Sequence, residues 1–101
     1  MRKSATTKFE KTEPWIAQNV GDEIEGRYTG KEEFDGNFGP TVKYIIERDG
    51  TKFGVYGSAS LNRQFAQVPT GSYVWVKYEG KVVSKNGREV KSFTVDYDDE
   101  I

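Results

Sequence analysis

The stretch from Lys52 to Lys81, KFGVYGSASLNRQFAQVPTGSYVWVKYEGK, most constrains what this chain can fold into. It reads as strand, one short helix, strand. Phe53, Val55 and the turn residue Gly57 alternate with Lys52, Gly54 and Tyr56, the period of a half-buried strand. Ser58 or Ser60 then offers an N-cap hydroxyl, and Leu61 and Phe65 place one apolar face on a helix that Pro69 and Gly71 bring to an end. Val74, Val76 and Tyr78 alternate with Tyr73, Trp75 and Lys77 as a second strand. A helix of about two turns does not stand alone in water. It has to plug something, and the open end of a small β-barrel is the natural socket.

Composition narrows the function classes. The 101 residues suffice for one domain with one core. Hydrophobic content of 35% against 31% charged residues suits a small barrel with much surface. No apolar run approaches membrane-spanning length. The opening MRKSATTKFEK is basic without the apolar core of a secretory signal. The chain has no Cys, hence no disulfide and no thiolate metal site, which fits a reducing compartment such as the cytoplasm, that of a host cell if the protein is viral. It also has no His, the commonest general base and transition-metal ligand, so a non-catalytic protein without a cofactor is expected.

A formal net charge of −1 hides a strong asymmetry. Residues 9–40 hold three bases and eight acids, a net −5, whereas residues 41–95 hold nine bases and four acids, a net +5. The last six residues then carry Asp96, Asp98, Asp99 and Glu100. A basic body with an acidic end says more about partners than the total does.

In chain order, residues 1–13 read as a flexible arm with Arg2, Lys3 and Lys8 as its early cations. Pro14-Trp15-Ile16 opens ordered structure, with Trp15 expected to pack against the barrel or close one end. Glu23 to Lys31 is a long first strand bent at Gly26 and Gly30. Glu32 to Pro40 reads as a loop, and Phe34 and Phe38 within it are divided between the barrel rim and stacking on a ligand. Its acids Glu32, Glu33 and Asp35 lack the spacing of a calcium loop and are expected to be solvated. Val42–Arg48 and Lys52–Tyr56 form a hairpin about Asp49-Gly50. Asn86-Gly87 marks a second hairpin, decorated by Lys81, Lys85, Arg88 and Lys91, whose return strand runs from Glu89 to Val95 with a bulge near Ser92. Residues 96–101 read as an acidic tail outside the core.

Three strands, a helix and two strands is the order of a five-stranded OB-fold, an all-β Greek-key barrel with one short helix between strands 3 and 4. Such barrels bind oligonucleotides across strands 2 and 3 and between the loops joining strands 1–2 and 4–5. Those places hold Phe34, Phe38, Tyr44, Phe53 and Tyr56 together with Lys43, Lys52, Lys85 and Arg88. Aromatic faces accept unstacked bases of any sequence, and cations track the backbone. Phe53 is divided between this set and the core. Trp75 and Lys77, on the strand face opposite Val74, are carried as candidates too, divided between groove and partner surface. No element looks like a major-groove helix, which favours single strands over duplex.

The run GDEIEGRYTGKEEFDG…GP…YII…DG…GVYGSASLNRQF…VPTGSYVWVKYEGK…SFTV resembles small phage-type single-stranded-DNA-binding proteins over about residues 15–95. The resemblance implies sequence-independent protection of single-stranded DNA in replication, recombination or repair. The acidic end is similar in kind to the C-terminal tails by which bacterial single-stranded-DNA-binding proteins recruit replication and repair partners. On that reading Asp98, Asp99, Glu100 and Ile101 bind a partner. The tail departs from the Asp-rich, Pro-Phe-ending form, since only Ile101 follows Glu100. A phosphate mimic competing for the basic face is the other reading of it. Two further functions stand beside the first: an RNA-binding module of the same fold, and a protein-interaction or virion barrel marked by an exposed apolar patch. Self-association is left open by the sequence.

Overall fold

The computed structural model describes residues 12–36 and 39–100. Their architecture is all-β with one short helix. The elements are β1 (Glu13–Pro14), β2 (Glu23–Gly36), β3 (Gly39–Arg48), β4 (Thr51–Tyr56), α1 (Ala59–Phe65), β5 (Tyr73–Val83) and β6 (Glu89–Asp98). The strands form one mixed sheet in the order β1-β4-β3-β2-β5-β6. Every ladder is antiparallel except that of β1, which runs parallel to β4. Five strands closed into a barrel are expected from the sequence. Among the described residues there are six, and no ladder joins β4 to β6.

β2 holds the two halves together. Its first part pairs with β5 from Glu23 to Arg27, and it pairs with β3 from Arg27 to Gly36. One strand serves two partners only by bending, and Gly26 stands at the bend. A Cβ there would run into the carbonyl oxygen of Glu47, so the backbones approach as only glycine allows. A register shift between Tyr28 and Gly30 adds the bulge that the second glycine suggests.

The helix is the plug. Ser58, in extended conformation, is the N-cap and accepts from the Leu61 amide at 3.3 Å. Leu61 and Phe65 are buried among Tyr28, Tyr44, Val55 and Val74. The other serine, Ser60, has a different task. Its hydroxyl accepts from the Phe93 amide at 3.2 Å, and one turn on Gln64 donates to the Phe93 carbonyl and accepts from the Val95 amide, both at 2.7 Å. Edge backbone of β6 that would otherwise lack a strand partner is thus satisfied by helix side chains. The seam between β4 and β6 is held there by α1.

Several boundaries differ from the sequence expectation. Glu32 to Pro40, read as a loop, extends the β2–β3 hairpin, because Glu32, Glu33 and Phe34 pair in register with Lys43, Val42 and Thr41. Gly, Asn and Asp mark a turn, but cross-strand partners decide how far the strands run toward it. Glu13, placed in the arm, pairs with Phe53. β6 runs on to Asp98, so Asp96 and Asp98 are sheet residues opposite Trp75 and Tyr73. The irregularity near Ser92 exists on the partner strand, between Tyr78 and Gly80, so β6 keeps its alternation and Val90 faces away from Phe93 and Val95. The Asp49-Gly50 hairpin is as expected, with positive φ at both residues. Asn86-Gly87 closes a three-residue loop, with Ser84 donating to Arg88 and Gly87 at φ 77°. No helix among the described residues is long and apolar enough to cross a membrane.

Candidate nucleic-acid interface

The seam between β4 and β6 is where side chains of the expected type gather. On β4, Lys43 and Tyr56 are cross-strand neighbours, and the Gly57 amide donates to the Val42 carbonyl at 2.7 Å. In an antiparallel ladder bonded pairs alternate, so the backbone groups of Tyr56 point away from β3 and into the seam. On β6 the bond from Ser84 to Arg88 sets the same phase, and the backbone of Lys91 points into the seam from the other side. Between them lies an open pocket of about 450 Å³, with Trp15, Val55 and Phe93 on its apolar walls and Tyr56, Ser58 and Lys91 among its polar lining.

Aromatic surface continues out of the pocket. The Tyr56 ring is 49% exposed and stands edge-on to Phe34, with centroids 6.4 Å apart. Trp15 tilts against Phe93 at 6.5 Å, and Phe93 against Tyr78 at 5.3 Å. The Lys91 ammonium lies 6.0 Å from the centre of the Tyr78 ring, a contact by which an aromatic face holds a cation. Lys81 is the cross-strand neighbour of Lys91 and shares its side of the hairpin. The arrangement offers apolar surface with Lys91 at its side, in a pocket lined by residues 15–17, the end of β4, the start of α1 and β6.

The structure divides the candidate set. Phe34 and Tyr56 come together. Lys85 and Arg88 are exposed at the tip of the β5–β6 hairpin, beyond Lys81 and Lys91. Lys52 lies on the same strand face as Tyr56, opposite Glu47. Phe38 and Ile101 lie outside the described residues. Asp98 closes β6 and accepts from the Glu100 amide at 2.9 Å, with Asp99 between them, and this acidic end lies beside Tyr73, away from the pocket.

Five candidates lie apart from this pocket. Tyr44 is buried, stacked on Phe65 at 4.1 Å, with its hydroxyl donating to Asn62 Oδ1 at 2.8 Å. Burial, with a smaller push from Glu33, raises the pKa of its phenol. Its face is spent on the plug. Phe53 is the cross-strand neighbour of Ile46 and packs against the core, the other of its two readings. Lys43 has its ammonium 3.1 Å from Glu32 and donates to Thr12 Oγ1 at 3.1 Å, and its side chain is only 12% exposed. A cation so enclosed and neutralised is not offered to phosphate. Trp75, with Lys77, lies on the outer face of β5, where its register neighbours are Glu25 and Asp96. Tyr73 meets Trp75 edge-on at 5.0 Å and donates to Glu25 at 3.0 Å, a bond that raises the Tyr73 pKa above its ordinary value. Glu25 and Asp96 beside Trp75 disfavour a polyanion there, although Arg27 is in register with Tyr73.

Sequence reasoning has Lys91 only among the cations of the β5–β6 turn, and favours core packing over ligand stacking for Trp15, which does pack against the core while lining the pocket. Lys91 alternates with Phe93 and Val95, a period that would have placed it on the pocket side had the bulge been assigned to β5. Trp15 is brought to the pocket by a bond from its amide to the Gly54 carbonyl at 2.9 Å, which no local pattern announces. Among the described residues no acidic cluster could hold a metal ion, and Glu32 and Glu33 pair with Lys43 and Lys31. Comparison with known proteins finds no matching family model, no matching curated protein and no matching solved structure.

Proposed function

We propose that this chain binds single-stranded DNA without sequence preference, along the cleft that crosses the β4–β6 seam, and that its sheet is an OB-type barrel with α1 bracing the seam. The observation that carries the reading is the pocket itself: apolar walls of Trp15, Val55 and Phe93, the exposed Tyr56 ring beside Phe34, and Lys91 at its lining. Bases stack on rings at about 1–3 kcal/mol each and phosphates follow the cations, so both halves of a nucleotide find a partner. Lys91 lies nearest the rings, Lys81 beside it is paired with Glu89 at 3.8 Å in an exposed pair that phosphate can displace, and Lys85 and Arg88 extend the basic stripe to the hairpin tip. The barrel reading is supported by the strand order, in which every ladder of such a barrel is present except that between β4 and β6. Its biological setting would be protection of single strands during replication, recombination or repair, of a phage on the resemblance above.

The two tryptophans make the test direct. In Trp75→Phe protein, Trp15 is the sole indole, and oligo-dT is expected to quench its fluorescence with a midpoint that weakens steeply as salt is raised. An unchanged Trp15 signal and unchanged anisotropy of labelled oligo-dT at low salt would overturn the proposal. Competition by oligo-U separates DNA from RNA.

A further inference from the structure

The outer face of the β5–β6 ribbon meets the cleft only at the β6 edge, where Val90 also lines the pocket, and it is strongly patterned along its length. At one end Tyr73 and Trp75 lie among Glu25, Asp96 and Asp98, which outnumber Arg27, the register neighbour of Tyr73. At the other, Val82 and Val90 are cross-strand neighbours on that face, 50% and 37% exposed. The bulge between Tyr78 and Gly80 brings them there, since it moves Val82 to the side opposite Lys91. Val20, 72% exposed, lies against Gly80 on the same side. The exposed Lys85 and Arg88 close that end. One face therefore runs from aromatic and acidic to aliphatic and basic.

The two ends cannot meet within one molecule. Trp75 and Val82 sit on one continuous strand, about 23 Å apart at about 3.3 Å per residue. They do meet between two molecules. Laying one ribbon face antiparallel on a second places the basic end of each on the acidic end of the other, with the valines against Tyr73 and Trp75. Lys77 and Thr94, cross-strand neighbours, fall near the middle. A two-fold contact makes both attractions at once, whereas parallel stacking would set like charges together.

We infer that the outer face of the β5–β6 ribbon is a self-complementary docking surface whose occupant is a second copy of this chain, related by a two-fold axis. The inference does not rest on the DNA-binding proposal: the two surfaces share Lys85, Arg88 and Val90 at the hairpin end, but the acidic, aromatic end lies away from the cleft and association is measured without nucleic acid. A dimer so formed carries two seam clefts facing outward, which gives one assembly two sites for nucleic acid.

Light scattering of the full chain tests it. Wild-type protein is expected to reach twice the monomer mass as concentration rises at low salt, and to need higher concentration at high salt. Lys85→Glu/Arg88→Glu protein places acid on acid, Asp96→Lys/Asp98→Lys protein places base on base, and each alone is expected to associate at least about tenfold more weakly. Mixed in equal amounts, the two are expected to recover the doubled mass as a heterodimer. Val82→Asp protein, in which all these charges are kept, is expected to be monomeric. Wild-type protein monomeric at low salt and high concentration overturns the inference. So does mass growth beyond two copies, or failure of the mixed variants to pair when circular dichroism shows both folded.

Discussion

Trp15 and Trp75 occupy two aromatic sites that differ in everything except their rings. Trp15 sits at the seam beside Phe93, in an apolar pocket whose nearby charge is Lys91. Trp75 sits on a fully laddered part of the sheet, with Tyr73 as its ring partner and Glu25 and Asp96 as its neighbours in register. An aromatic residue on the surface of a small β protein is thus not by itself a nucleic-acid contact. What surrounds the ring decides which partner it suits: cations and a cleft suit a polyanion, carboxylates on a flat ladder suit a protein. The same difference appears in how the backbone is satisfied. The Trp75 region is held by strand–strand bonds on both sides, and the seam is held by two side chains of α1.

That contrast is open to attack at several points. The largest effect is expected at the seam. Gln64→Ala leaves the Val95 amide without its partner and the Phe93 carbonyl with only the Ser60 hydroxyl at 3.2 Å, and a partly buried orphan of this kind costs about 1–3 kcal/mol. The urea midpoint should fall accordingly, with the slope unchanged. Tyr73→Phe, which removes only a bond on the outer face, should move the midpoint by less than about 0.5 kcal/mol. Equal losses from the two variants would break the distinction between a braced seam and a self-sufficient ladder.

Binding should divide the same way. Tyr56→Ala is expected to cost about 1–3 kcal/mol of affinity for oligo-dT in anisotropy titrations, whereas Trp75→Ala should leave a short oligonucleotide bound as before. If Trp75→Ala weakens binding as much as Tyr56→Ala, the outer face belongs to the interface after all. A smaller difference should separate two lysines. Lys91→Ala should lower the slope of log affinity against log salt by about 1, and Lys77→Ala should not change it.

The smallest effect concerns the turn that leads into β2. Asp22 accepts from the Gln18 and Asn19 amides at 2.9 and 3.0 Å, and these bonds, that from Asn19 first, hold its carboxyl below the ordinary value of 3.8. A depressed carboxyl adds stability above its unfolded pKa and loses it as pH falls through the folded one. Asp22→Asn should therefore be less stable than wild type near neutrality, and the gap should close in acid. A gap of constant size from neutral to acid pH would show that the carboxylate charge is not what the turn uses.

Much of the fold could be read from residue order because it depends on neighbours in the chain. Alternation gave the faces of β4 and β5, Asp49-Gly50 gave a hairpin, and Leu61 with Phe65 gave the buried side of α1. The site was legible in kind more than in place. Phe34 and Tyr56 meet edge-on, as the proposed stacking surface requires, but Lys43 and Tyr44, neighbours of the same local character, are consumed by an ion pair with Glu32 and by the plug. No pattern within a strand distinguishes an exposed Tyr56 from a buried Tyr44, because burial is set by what crosses over the strand.

The sequence alone determined an all-β chain with one short helix, its hairpins, the apolar residues that fill its middle, and the segregation of charge along its length. These follow from backbone preference and side-chain period, which act over a few residues. Tertiary structure decided that the seam between β4 and β6 is joined by helix side chains, that Trp15 lines a pocket there, and that the bulge lies on β5 and sends Lys91 inward and Val82 outward. Each of those depends on groups tens of residues apart, Gln64 with Val95 or Trp15 with Phe93, meeting at a distance that only the assembled sheet sets.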